Sequence, residues 1–313
     1  MRSALGQPDT ITIEHGDPGK VRSSWGTFRV AEKLVFGFFA LALVASLVFP
    51  LSLDERLKVW GLNLSAASVV FLLSHFGGAQ RSNVLAVFRD WFPFVLIPLA
   101  YKESGLFYTP DPSHHLDLLF IRCDNALLQN FLVGNGLSFF SGWLGPYVEF
   151  SYLLCYPLVP LGLLSLTLAR RRGLLKPRNN SDSTIDLFWT AVLLATFTCY
   201  VLYPFFPLTP PRVLFHNLTD APSHSALRRL NLWLLRRNGD QASLFPSGHV
   251  AAVTATALAV RAALPRLGWL FIIAAASVAA ATVIGRYHYV ADAAAGALVG
   301  IAAFVISSRI HKS

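Results

Sequence analysis

FPSGHVAAVTATALAVRAALPRLGWLFIIAAASVAAATVIGRYHYVADAAAGALVGIAAFVISS, Phe245–Ser308, is the stretch whose reading decides the fold. It holds three apolar runs, 247–264, 267–284 and 290–308, each long enough to cross the hydrocarbon core of a bilayer as a helix. The breaks between them are short. A chain that crosses, turns and crosses back returns to the face it left. His249 and His288 stand at the two ends of such a round trip, so the pattern predicts that they meet.

Working outward, further runs of spanning length lie at 34–53, 59–76, 146–168 and 187–206. A shorter run with polar ends and two internal prolines, RDWFPFVLIPLAYKE (Arg89–Glu103), is read as an eighth span. The stretch 104–145 is mixed, with His114, His115, Asp117, Arg122 and Asp124 among Gly and Phe. It reads either as interfacial packing or as a cover that selects substrate. The expected fold is therefore all-α: a polytopic membrane bundle of about eight helices with a six-helix core. Residues 1–33 are polar and lack a leader-like apolar segment, so they are expected to form a cytoplasmic tail. Residues 34–313 are expected to form one integral-membrane domain, with its chemistry within 206–296.

Composition supports the membrane reading. Hydrophobic residues make up 54% of the chain and charged residues 14%, against roughly 25% charged in ordinary soluble domains. Mean hydropathy is +0.51. The net charge of +9 is spread between apolar runs, which points to membrane surfaces and away from nucleic acid. Cys123, Cys155 and Cys199 have neither metal-site nor disulfide spacing and read as packing residues.

The basic residues set the orientation. Arg170, Arg171, Arg172, Lys176 and Arg178 form the densest cluster, and Arg261, Arg266, Arg309 and Lys312 lie an even number of spans away. All are expected on the cytoplasmic face. Arg212, Ser247, His249, Arg286 and His288 are then expected on the opposite, extracytoplasmic face. Arg228, Arg229, Arg236 and Arg237 also fall there, either on an amphipathic helix against anionic head groups or on a solvated basic face.

The residue types at that face suit phosphoryl chemistry. Pro246, Ser247 and Gly248 precede an alanine-rich run, and free amides at a helix start bind phosphate. His288 and Asp292 are four apart, hence expected on one helical face; a carboxylate on one imidazole nitrogen leaves the other to attack. Arg212 follows Pro210 and Pro211, which stiffen its approach, and a guanidinium grips phosphate oxygens in pairs. Arg286 stands two residues before His288.

Taken together, Arg212, PSGH (Pro246–His249) and the His288–Asp292 pair resemble the type 2 phosphatidic acid phosphatase superfamily, which shares its site with vanadium haloperoxidases. The resemblance covers roughly 146–308. TPPR (Thr209–Arg212), RYHYVAD (Arg286–Asp292) and Arg89–Glu103 look most like the branch near inositol phosphorylceramide synthases. Three positions depart from the family pattern: Phe205 in place of a lysine, Val213 in place of a proline and Thr282 in place of an arginine.

The resemblance implies His288 as nucleophile, Asp292 as its orienting partner and His249 as general acid. It also implies Arg212, Arg286, Ser247 and Gly248 around the phosphate, and no metal or other cofactor. The expected activity is hydrolysis of a membrane lipid or polyprenyl phosphate through a phosphohistidine. Two alternatives stand beside it: transfer of a phospho-head group to an alcohol acceptor, and anion transport without catalysis.

Overall fold

The structure is a computed structural model that describes residues 28–76, 83–109, 113–128, 144–175, 181–214, 225–238 and 245–312. Its helices are α1 (Val30–Val48), α2 (Leu53–Phe76), α3 (Asn83–Ser104), α4 (His115–Leu128), α5 (Leu144–Leu153) and α6 (Cys155–Arg171). They continue with α7 (Ser181–Leu202), α8 (Pro211–Leu214), α9 (Ala226–Asn238), α10 (Gly248–Ala263), α11 (Pro265–Ile284) and α12 (Val290–Ile310). No strand occurs among the described residues. The fold is the expected all-α polytopic bundle.

Helices α1, α2, α3, α7, α11 and α12 are long and apolar enough to cross a membrane, and α5 with α6 adds a seventh crossing. Helix α10, the eighth apolar helix, has 16 residues, or about 24 Å, short of the ~30 Å hydrocarbon core. It is central, packing on α6, α7, α11 and α12. Beside it α7 is the most buried of the spans. Side chains such as Leu41, Phe71, Val95, Leu270, Ile273 and Leu298 face outward. An apolar belt of that extent requires lipid around it, and the chain is an integral membrane protein.

Three boundaries differ from the sequence expectation, each for a physical reason. Helix α1 begins at Val30, so 30–33 belong to the bundle rather than to a tail. The Asp186 carboxylate of α7 accepts from the Val30 and Ala31 amides (3.0 and 2.9 Å), and Glu32 accepts from the Arg29 amide (2.8 Å). These bonds satisfy amides that a helix start leaves open. Helix α3 begins before Arg89, and Pro93 and Pro98 lie inside it. Arg89 and Asp90 do not end the span because both are paired. Arg89 grips Glu32 (2.6 and 2.8 Å), while Asp90 accepts from Arg29 (2.6 Å) and Arg170 (2.8 Å).

The third difference is a 55° bend within the run 146–168, which the sequence presents as one uninterrupted span. Pro157 lies four residues after Leu153 and has no N–H to give its carbonyl, the usual origin of such a break.

These contacts also fix polarity. Arg29, Asp90, Arg170, Asp186 and His311 gather at one end of the bundle; His311 Nε2 is 3.2 Å from Asp186 Oδ2. Arg171 and Arg172 lie at that end, whereas Lys176 and Arg178 fall outside the described residues. The starts of α10 and α12 lie at the opposite end.

Candidate active site

Helix α10 starts at a built cap. Ser247 is the N-cap, its Oγ accepting from the Val250 amide at 3.4 Å, while its own amide donates to the Asp292 carbonyl at 3.2 Å. The second bond ties the start of α10 to that of α12. Gly296 permits this approach, because a Cβ there would run into the Ser247 carbonyl. The Gly248 amide already has a partner, the Tyr203 hydroxyl, at 3.2 Å.

His288 lies in the turn before α12 rather than on the helix, since Tyr289 is the N-cap. The four-residue spacing still delivers the contact: His288 Nδ1 is 2.5 Å from Asp292 Oδ2. Both side chains are buried. The Thr282 carbonyl, at the end of α11, holds the turn by accepting from the Tyr287 and His288 amides (2.8 and 2.9 Å). Thr282 therefore stands in a backbone anchor, where its side chain reaches only the Ala279 carbonyl. With Nδ1 engaged, Nε2 turns toward Ser247 Oγ, 3.3 Å away. The rings of His249 and His288 are 5.9 Å apart at 67°. The predicted meeting of the two histidines is present.

The two arginines separate. Arg212, in α8, reaches the Tyr287 carbonyl at 3.5 Å and lies close enough to interact electrostatically with His249. Arg286 takes a left-handed backbone (φ 59°), unusual for a residue with a Cβ, and so reverses the chain before His288. Its side chain makes no hydrogen bond or ion pair among the described residues. The structure joins His249, His288, Asp292, Ser247, Gly248 and Arg212, and contributes the backbone of Arg286 to the turn.

A third arginine departs from the sequence expectation. Arg228 is neither on a lipid-facing stripe nor on a solvated face; it is 8% exposed. It donates to Glu149 (3.2 Å) and to the Gly285 carbonyl (2.8 Å), and its guanidinium lies 4.7 Å from the centre of the Tyr287 ring. Glu149 also accepts from Asn231 (2.8 Å) and Tyr287 (2.6 Å). Tyr287 stacks on Tyr152 at 3.6 Å, and Tyr152 in turn neighbours His249. The only sequence signal was an acid, Glu149, within an apolar run.

Within 104–145, helix α4 packs against the site. Asp117 accepts from the Thr209 amide (2.7 Å) and contacts His114 (2.6 Å); Asp124 accepts from the Val290 amide (2.9 Å). Phe120 packs edge-on against Phe245 and Tyr289. One helix thus touches all three motif segments. Burial pushes the Asp124 carboxyl up to about 6, opposed by the Val290 bond and reinforced by the nearby Asp292 charge.

The family model of the PAP2 superfamily matches residues 125–306, which include α5 to α11 and the whole site but none of α1–α3. No curated protein and no solved structure matched the chain. The match spans more than half of the sequence and includes Arg212, Pro246–His249 and His288–Asp292, so this chain belongs to the PAP2 superfamily.

Proposed function

We propose that this chain is a metal-independent lipid phosphatase that hydrolyses a membrane lipid or polyprenyl phosphate through a phosphohistidine. One observation carries the reading: His288 is fixed by Asp292 through Nδ1, its Nε2 is turned toward the Ser247 hydroxyl, and a second imidazole faces it across 5.9 Å. His288 Nε2 attacks phosphorus, the P–O bond to the lipid alcohol breaks, and the His249 imidazolium gives its proton to the departing oxygen. Water then gives a proton to His249 and attacks phosphorus; the P–N bond breaks and phosphate leaves. Arg212, Ser247 and the start of α10 stabilise the equatorial oxygens, with Arg286 as a further cation. Asp292 keeps His288 in the required tautomer and balances its positive charge.

The site is assigned to the extracytoplasmic face, because Arg170–Arg172, Arg261, Arg266, Arg309 and Lys312 belong to the opposite end of the bundle.

The test is phosphate release by purified protein from phosphatidate, sphingosine phosphate, phosphatidylglycerol phosphate and polyprenyl diphosphate. His288→Ala should abolish release while the protein stays folded in detergent; retained release rejects the nucleophile. His249→Ala should recover partly on substrates with good leaving groups; equal loss on all of them rejects the general acid. Adding labelled inositol separates the phosphotransferase alternative, which would yield a new labelled lipid. Vanadate inhibition of phosphate release excludes anion transport without catalysis.

A further inference from the structure

A cavity of about 200 Å³ opens beside the site between α3, α6, α7 and α10, with Leu235 of α9 also in its lining. His249 and Gly248 line it, whereas His288 does not. Its wall on one side is a single helix, α3, through Phe94, Ile97, Pro98, Tyr101 and Lys102. Val159, Thr196 and Ala252 face them. The lining is mainly apolar and includes Lys102, exposed at the end of α3. From Lys102 to Phe94 the wall drops about 12 Å at 1.5 Å per residue, most of one ~15 Å leaflet of hydrocarbon.

In-line displacement puts the attacking and departing atoms on opposite sides of phosphorus. With His288 attacking, the departing oxygen and whatever it carries lie on the side of His249. The side of His249 is this cavity. We infer that the hydrocarbon of the leaving alcohol occupies the cavity, and that α3 sets the length of chain accepted. The inference rests on the phosphatase reading above and adds to it which part of the substrate lies where, and which residues measure it. Helix α3 lies outside the stretch that the family model matches. The wall also explains the run Arg89–Glu103. Its first two residues fasten α3 to the basic end of the bundle, and one face of the rest, from Phe94 to Lys102, lines the cavity.

The test compares straight-chain alkyl monophosphates from short to long, at fixed mole fraction in detergent, with the full-length protein. Rates are read as the ratio of variant to wild type on the same substrate, so partition into the micelle cancels. Ile97→Trp fills the middle of the cavity and should lower kcat/KM about tenfold or more on long chains, with short chains within about twofold. Phe94→Ala removes the floor and should shift the preferred chain to a longer one. The inference is overturned if Ile97→Trp lowers short and long chains alike, or if Phe94→Ala leaves the length preference in place. The phosphatase reading fails separately, and takes the inference with it, if no alkyl phosphate is cleaved or if His288→Ala cleaves them as wild type does.

Discussion

Asp124 of α4 and Val290, the first residue of α12, are joined by a 2.9 Å hydrogen bond from the Val290 amide to Oδ1. The bond caps the helix that carries Asp292. Asp124→Ala should cost about 1 kcal/mol of stability, the usual loss of a side-chain cap, and lower turnover by loosening the His288 turn. Asp124→Asn keeps an acceptor and should retain most activity. The carboxyl is raised from 3.8 to about 6 in the folded protein, so its contribution to stability is present below pH 4 and is lost as pH rises to about 6. Thermal melts in detergent should therefore show a flatter pH dependence for Asp124→Asn across that window.

Asp292→Asn should keep the fold and lower turnover on the order of 10³-fold or more. An amide can settle His288 in the wrong tautomer and cannot balance the positive charge formed on it. Single-turnover kinetics should place the loss in phosphoenzyme formation.

Arg212 and Arg286 should prove unequal. Arg212→Lys forfeits the two-pronged grip and should lower kcat about 10²-fold. Arg286→Ala should cost less than about tenfold, because its side chain has no hydrogen-bonded place beside the imidazoles. Equal losses would mean that substrate draws Arg286 into the site.

Arg228→Met leaves Glu149 buried without its cation, and should destabilise the protein by about 3–5 kcal/mol. Adding Glu149→Gln should recover part of that loss, because the remaining partners, Asn231 and Tyr287, both donate hydrogen bonds. Melting temperatures of the two single variants and the double variant give the coupling.

Gly296→Ala should separate α12 from Ser247 and cost about 1–3 kcal/mol, since the obstacle is backbone. Turnover should fall with it, because the same shift lengthens the Ser247–His288 contact.

The sequence carries what local spacing can encode. Apolar runs of membrane length gave the spans, and the round trip from His249 to His288 followed from counting residues between two turns. It carries less where a polar residue is understood only through a distant partner. Arg89 looked like the end of a span because Glu32 could not be seen beside it. Arg228 reads as facing lipid head groups or solvent because its partner Glu149, 79 positions earlier, is hidden in an apolar run. Asp117 and Asp124 lay in a segment without periodicity, and their amide partners belong to backbone positions that no side-chain pattern marks.

The elbow at Leu154 has a consequence of scale. The ten residues of α5 form an arm about 15 Å long, and a 55° swing displaces its far tip sideways by about 12 Å. A straight rod would leave that much daylight beside α11, and the flank of the phosphoryl chamber would lie open to acyl chains. Pro157 thus decides, by withholding one proton from one carbonyl, whether the chamber has a side wall.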